Sequence, residues 1–107
     1  MNCVFCDIVK HKRETYAEYE DDKFMAFNDI KPSAPIHILI VPKKHIDSIK
    51  SVDGEHKELL GEMIVLAKKI ALEKKLEGYK LIFNVGRQGG QIVDHLHLHL
   101  LGGWEKS

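Results

Sequence analysis

A chain of 107 residues, 44% hydrophobic and 30% charged, fits one globular domain over residues 1–107 and leaves no room for a second. Sixteen Lys plus Arg balance sixteen Asp plus Glu, so the formal net charge is zero, which argues against a nucleic-acid partner held through a basic face. No apolar run reaches membrane-spanning length and the start Met1-Asn2-Cys3 carries no leader-like apolar stretch, so a cytoplasmic protein with no membrane partner is expected.

In chain order, the first feature is Cys3-x-x-Cys6, which contains both cysteines. Bridging two cysteines this close closes almost no loop, so the pair reads as metal ligands or a redox couple rather than a structural disulfide. Tyr16 to Asp21 and Lys23 to Asp29 are expected to form two strands around a turn at Asp21-Asp22. Pro32 and Pro35 then force a loop. Ile36 to Val41 is nearly all apolar around His37, as a central strand would be, and Pro42 stops it. From Glu55 to Leu76, Leu59, Leu60, Met63, Ile64, Leu66, Ala67, Ile70 and Ala71 recur at helical spacing, with Gly78 just beyond. Lys80 to Val85 is another strand, Gly86-Arg87-Gln88-Gly89-Gly90 a glycine loop, and Val93 to Leu101 the last strand. Five strands and one long helix predict an α+β domain with an antiparallel sheet.

The segment His95-Leu96-His97-Leu98-His99-Leu100-Leu101 carries the strongest chemical signal. On one strand the three imidazoles would project to one side about 7 Å apart, with the leucines entering the core. A merely solvated strand face would use Thr, Lys, Glu or Ser. A single three-histidine metal site would need the outer pair to converge from about 13 Å. The histidines therefore have different tasks. A neutral imidazole is a good nucleophile near pH 7 and needs no strong base.

This segment resembles the histidine-triad signature, in which three histidines alternate with apolar residues. Phe24 to Ile30, Pro35 to His45 and Gly89-Gly90-Gln91 are similar to further blocks of that family in the same order. The branch most similar is that of the histidine-triad nucleotide-binding proteins, the purine nucleoside phosphoramidases. The resemblance implies an antiparallel five-stranded sheet with one long helix, continued across a homodimer. It implies hydrolysis of purine nucleoside 5′-phosphoramidates, with AMP joined to an amine, through a nucleotidyl-histidine on His97. Dinucleoside polyphosphate hydrolysis and a nucleotide-binding interaction protein with little turnover are the alternatives. His99 would bond phosphate and assist the leaving group, and His37 would buttress the triad. Asp29 would take the ribose hydroxyls, and Phe5, Ile8, Phe27 and Ile30 would line the base cleft. Asn84, Gly90, Gln91, Ile92 and Leu98 fall at substrate-contacting positions, Gly90 and Gln91 in a loop whose backbone N–H groups would approach phosphate. Ile92 departs from the family, which usually has Ser or Thr there. Cys3, Cys6, His45 and His95 match a structural Cys2His2 zinc set found in some members. No cofactor is expected in the catalytic chemistry itself. His11 and His56 have no such matches and are expected at the surface.

Overall fold

The computed structural model describes residues 3–105. The first element was not expected from sequence. Val4–Val9 is a six-residue helix, α1, whose first turn is capped by Cys3 Sγ accepting from the Cys6 N–H at 3.2 Å. Phe5, Ile8 and Val9, at helical i, i+3, i+4 spacing, bury one side of it.

The strands are β1 (Ala17–Glu20), β2 (Phe24–Asn28), β3 (Ile36–Pro42), β4 (Tyr79–Ile82) and β5 (Leu98–Gly102). They form one sheet in the order β1-β2-β3-β5-β4, with every neighbouring pair antiparallel. The β1–β2 turn is set by Asp21, whose Oδ1 accepts from the N–H groups of Lys23 and Phe24. Helix α2 (Lys57–Glu73) begins two residues later than the apolar spacing suggested. A 3-10 turn at Gly54–His56 precedes it, closed by Asp53 accepting from Glu55 N–H while His56 Nδ1 accepts from Asp53 N–H. It stops three residues early, where Lys75 takes a left-handed backbone at φ 59°.

Both faces of the sheet are covered, which explains why β2 and β3 read as continuous apolar runs. Alternate residues Phe24, Ala26, Ile38, Ile40, Leu98 and Leu100 pack against Met63, Leu66, Ala67 and Ile70 of α2. The intervening Met25, Phe27, Leu39 and Val41 pack against Phe5, Ile8 and Val9 of α1.

One boundary changes the reading of the site. The last strand starts at Leu98 rather than Val93, so of the triad only His99 lies in the sheet. Residues 91–97 are held elsewhere: Gln91 and Arg87 tie down the loop, and Leu96 N–H pairs with the Ile46 carbonyl instead of β3. The three imidazoles therefore do not form a flat ladder, and each meets different surroundings. Likewise β4 ends at Ile82, opposite His99, rather than at the expected Val85.

Candidate active site and metal cluster

Two groups of polar side chains lie on the α1 side of the sheet, and the hydrogen-bond partners assign the protons on each ring. A backbone carbonyl only accepts and a backbone N–H only donates, so a ring nitrogen facing either has its proton state determined.

In the first group, His97 Nδ1 lies 2.6 Å from the His95 carbonyl oxygen and must carry the hydrogen. Its Nε2 therefore presents a lone pair. His37 Nδ1 accepts from the Ser33 N–H at 3.0 Å, so its Nε2 carries the hydrogen and donates to His99 Nδ1 at 2.8 Å. His99 is left with Nε2–H, a donor. Asp29 Oδ2 lies 3.5 Å from His37 Nε2, while Oδ1 accepts from the Lys31 N–H. The rings of His97 and His99 are 4.9 Å apart and those of His37 and His99 5.1 Å. Burial lowers the basicity of His97, against a smaller opposing effect of its bond to the His95 carbonyl. Burial also pushes His99 down to about 4, helped by the neighbouring His97 and His37. Both rings are neutral at pH 7.

The apolar residues divide. Phe5 stands edge-on to His97, with centroids 5.1 Å apart and planes at 86°, and contacts Phe27 at 5.5 Å. Ile8 is buried beside them, whereas Ile30 is 93% exposed at the rim. Leu98 is not brought to this group; its side chain is buried under α2, on the opposite face.

The glycine loop is built differently from the sequence expectation. The N–H groups of Gly89, Gly90 and Gln91 bond back to the carbonyls of Gly86 and Arg87. The Gln91 side chain is buried, accepting from Gly86 N–H and donating to the Asp47 and Val93 carbonyls. Asn84 Nδ2 donates to the Gly89 carbonyl. Gly86 and Gly90 have φ of 70° and 88°, where a side chain would be strained. Asn84, Gly90 and Gln91 thus hold the shape of the loop leading to the histidines. Ile92, just after it, is 84% exposed.

The second group contains Cys3, Cys6, His45 and His95, whose ligand atoms all lie within 4.8 Å of one another. Cys3 Sγ and Cys6 Sγ are 3.3 and 3.5 Å from His95 Nδ1, and Cys6 Sγ is 3.1 Å from His45 Nδ1. A tetrahedral zinc with ordinary Zn–S and Zn–N bonds needs ligand atoms about 3.4–3.8 Å apart, so the cluster needs only small adjustments. The rings are also correctly oriented. His95 Nε2 donates to the Pro42 carbonyl at 2.8 Å and His45 Nε2 meets Asp47 Oδ1 at 2.6 Å, leaving both Nδ1 lone pairs aimed at the thiols. Burial and the adjacent Cys3 push the Cys6 thiol up to about 11, a state that a cation would reverse by taking the thiolate. The donors present therefore fit a metal such as zinc.

Several partners escaped the sequence reading: the Ser33 N–H, the His95 and Pro42 carbonyls, and the role of Phe5. Asp47, two residues after His45, was legible as a carboxylate within reach of an imidazole. His11 and His56 are not without partners, since His11 pairs with Glu20 at 2.7 Å and His56 with Asp53 at 3.4 Å.

The model of the family described as "Scavenger mRNA decapping enzyme C-term binding" matches residues 2–106. The purine nucleoside phosphoramidase of Escherichia coli K12 is 45% identical over 102 residues, covering 94% of this chain and 86% of that protein. Protein HitA of Neisseria gonorrhoeae is 42% identical over 94% of this chain and 95% of its own length. The structure of a HIT family hydrolase from Legionella pneumophila is similar with a TM-score of 0.95 and 46% identity, covering 99% and 96% of the two chains. With the three histidines, the sheet order and the long helix in place, the chain belongs to the histidine-triad family and is an enzyme of that family.

Proposed function

We propose that the protein hydrolyses purine nucleoside 5′-phosphoramidates, with His97 as the nucleophile. The observation that carries this reading is the hydrogen bond from His97 Nδ1 to the His95 carbonyl, which leaves the neutral ring with a free Nε2 lone pair. Nε2 attacks the α-phosphorus and a P–N bond to the ring forms as the P–N bond to the amine breaks. The electron pair departs on the amine nitrogen, which takes a proton from solvent. Water then attacks phosphorus, its proton passes to solvent, and AMP leaves His97. The E. coli relative that bears the name purine nucleoside phosphoramidase supports this substrate class.

His99 Nε2–H donates to a phosphoryl oxygen and steadies the developing charge. It is a hydrogen-bond donor rather than the acid for the leaving group, because a ring pushed down to about 4 has no spare proton at pH 7. His37 and the Ser33 N–H hold it in that tautomer. Asp29 bonds the ribose hydroxyls, and Phe5, Ile8, Phe27 and Ile30 enclose the base. The protein acts as a homodimer whose sheet continues through β4. Zinc at Cys3, Cys6, His45 and His95 is structural.

The test is the release of AMP from an AMP–amine conjugate beside a diadenosine polyphosphate, for the wild type and His97→Ala. The phosphoramidate is expected to turn over faster, and the variant to lose about three orders of magnitude or more in kcat while binding AMP within a few-fold. A His97→Ala enzyme retaining a tenth of the rate would overturn the assignment. Preference for the polyphosphate would favour the other substrate class, and slow turnover of both a binding role.

A further inference from the structure

The two side-chain groups share two mechanical links. The first is His95. Its ring is fully buried and fixed at both nitrogens, by the Pro42 carbonyl on one side and the Cys3 and Cys6 sulfurs on the other. The carbonyl of the same residue receives the His97 Nδ1–H. A ring held at both nitrogens restrains the backbone that bears it, so the cluster limits the movement of the carbonyl that sets the His97 tautomer. The second link is Phe5, which lies in sequence between the two cysteines. Its ring stands edge-on to His97 at 5.1 Å and to His95 at 6.0 Å. Helix α1 spans six residues and its N-terminal cap is Cys3 itself. A helix this short is not stable alone and depends on what anchors it. Its anchors are the apolar contacts of Phe5, Ile8 and Val9 and the two thiols.

We propose that the metal-loaded Cys3–Cys6–His45–His95 cluster is a positioning device for the triad: it holds the His95 carbonyl and the Phe5 ring that together keep the His97 Nε2 lone pair aimed at the substrate. Activity then depends on metal occupancy through His97, not only through overall stability. The inference rests on His97 as the nucleophile. A cleft of about 630 Å³ lined by Cys3, His45, Asp7, Arg13 and Ile92 reaches two of the cluster's four side chains. The neighbouring Asp29–His37–His99 group has ligand atoms equally close together but is a poorer site for a cation. There the Ser33 N–H occupies His37 Nδ1 and keeps a hydrogen on Nε2, the nitrogen that faces the other two groups.

The experiment compares zinc-loaded protein with protein stripped by a soluble chelator. Zinc content is followed by elemental analysis, the His97 ring by its nitrogen-15 resonances, and AMP transfer to His97 by single-turnover mass measurement. Removing zinc is expected to replace the single Nδ1–H form of His97 by a mixture of tautomers and to slow transfer by about ten-fold or more. AMP affinity should change less, and added zinc should restore both signals. Cys6→Ser should mimic the stripped protein, and Cys6→His, which retains a metal ligand, should recover the wild-type His97 spectrum. Should stripping unfold the chain, zinc-loaded Phe5→Leu decides the question: mixed His97 tautomers support the proposal, and an unchanged spectrum overturns it. A folded, zinc-free protein with an unaltered His97 spectrum and a transfer rate within two-fold also overturns it. If the zinc-loaded enzyme forms no adduct on His97 at all, the nucleophile assignment fails instead, and the spectra still report on positioning.

Discussion

Each imidazole at the paired clusters has one nitrogen committed to a local partner, and that partner decides what the other nitrogen can do. The same side chain presents a lone pair at His97 Nε2, an N–H at His99 Nε2 and a lone pair facing the two thiols at His95 Nδ1. Ile92 stands where the resemblance leads one to expect Ser or Thr, and it is solvent-exposed rather than packed by its neighbours. Replacing it by serine therefore costs little stability, and under the proposed function the new hydroxyl is expected to reach a phosphoryl oxygen or the leaving amine. A well-formed hydrogen bond to a charged group is worth about 1.5–3 kcal/mol, or roughly ten- to a hundred-fold; an exposed hydroxyl realises only part of that, so kcat should rise by up to about ten-fold, with little change in KM. The rise should be greatest across AMP conjugates of the most basic amines; equal or lower rates throughout would show that the hydroxyl has no task here. His99 gives a second prediction. Between an ordinary 6.5 and about 4 the unfolded chain holds a proton on this ring and the folded chain does not. Stability therefore rises with pH across that window and is lost on acidification. The groups facing His99 are His97, His37 and Asp29, and the first two reinforce the effect. In His99→Asn the fall in Tm between pH 7 and pH 4.5 should be shallower by a few degrees; identical slopes would refute the assignment.

At the level of elements, the sheet has two edges with opposite character. β1 carries a register irregularity between Ala17 and Tyr19 and the acidic Glu18 and Glu20, features that discourage pairing with another chain. β4 is regular and carries one charge, Lys80, whose ammonium lies over the Trp104 ring; it exposes Leu81 and Ile82, while the α2 helix exposes Ile64, Val65 and Leu72. A regular edge with apolar neighbours and a single charge is better suited to a second copy than β1. Light scattering of the wild type at micromolar concentration should give a dimer mass, and Leu81→Lys should shift it to the monomer with the sheet intact by circular dichroism. A monomeric wild type would remove the dimer from the proposed function.

On the scale of the whole molecule, two apolar layers sandwich the sheet, one under the 17-residue helix α2 and a thinner one under six-residue α1. The thin layer is the one that carries the paired clusters, so a zinc joining α1 to the loops at His45 and His95 would contribute most there. Purification without chelator or a histidine tag should yield about one zinc per chain. Stripping that zinc should lower Tm by about 5 °C or more, with little loss of helix or sheet signal. A metal-free preparation of equal Tm would exclude a structural zinc. Among the described residues no helix is long and apolar enough to cross a membrane.

The elements with long periodic signals were legible directly: α2 from its recurring apolar residues, β2 and β3 from apolar runs bounded by Asp and Pro, and the triad from its alternation. Cys3-x-x-Cys6 likewise read as metal ligands or a redox couple, and the fold brings both thiols beside His45 and His95. Three features came only from the tertiary structure. Helix α1 is too short for periodicity to distinguish it from a loop, and it exists because the sheet buries Phe5, Ile8 and Val9. The start of β5 at Leu98 depends on Leu96 pairing with Ile46, a residue 50 positions away. The proton on each histidine depends on backbone atoms of Ser33, Pro42 and His95. Local sequence specifies which side chains are present and how they alternate. The direction of a hydrogen bond to a distant backbone atom is decided only when folding brings that atom within reach.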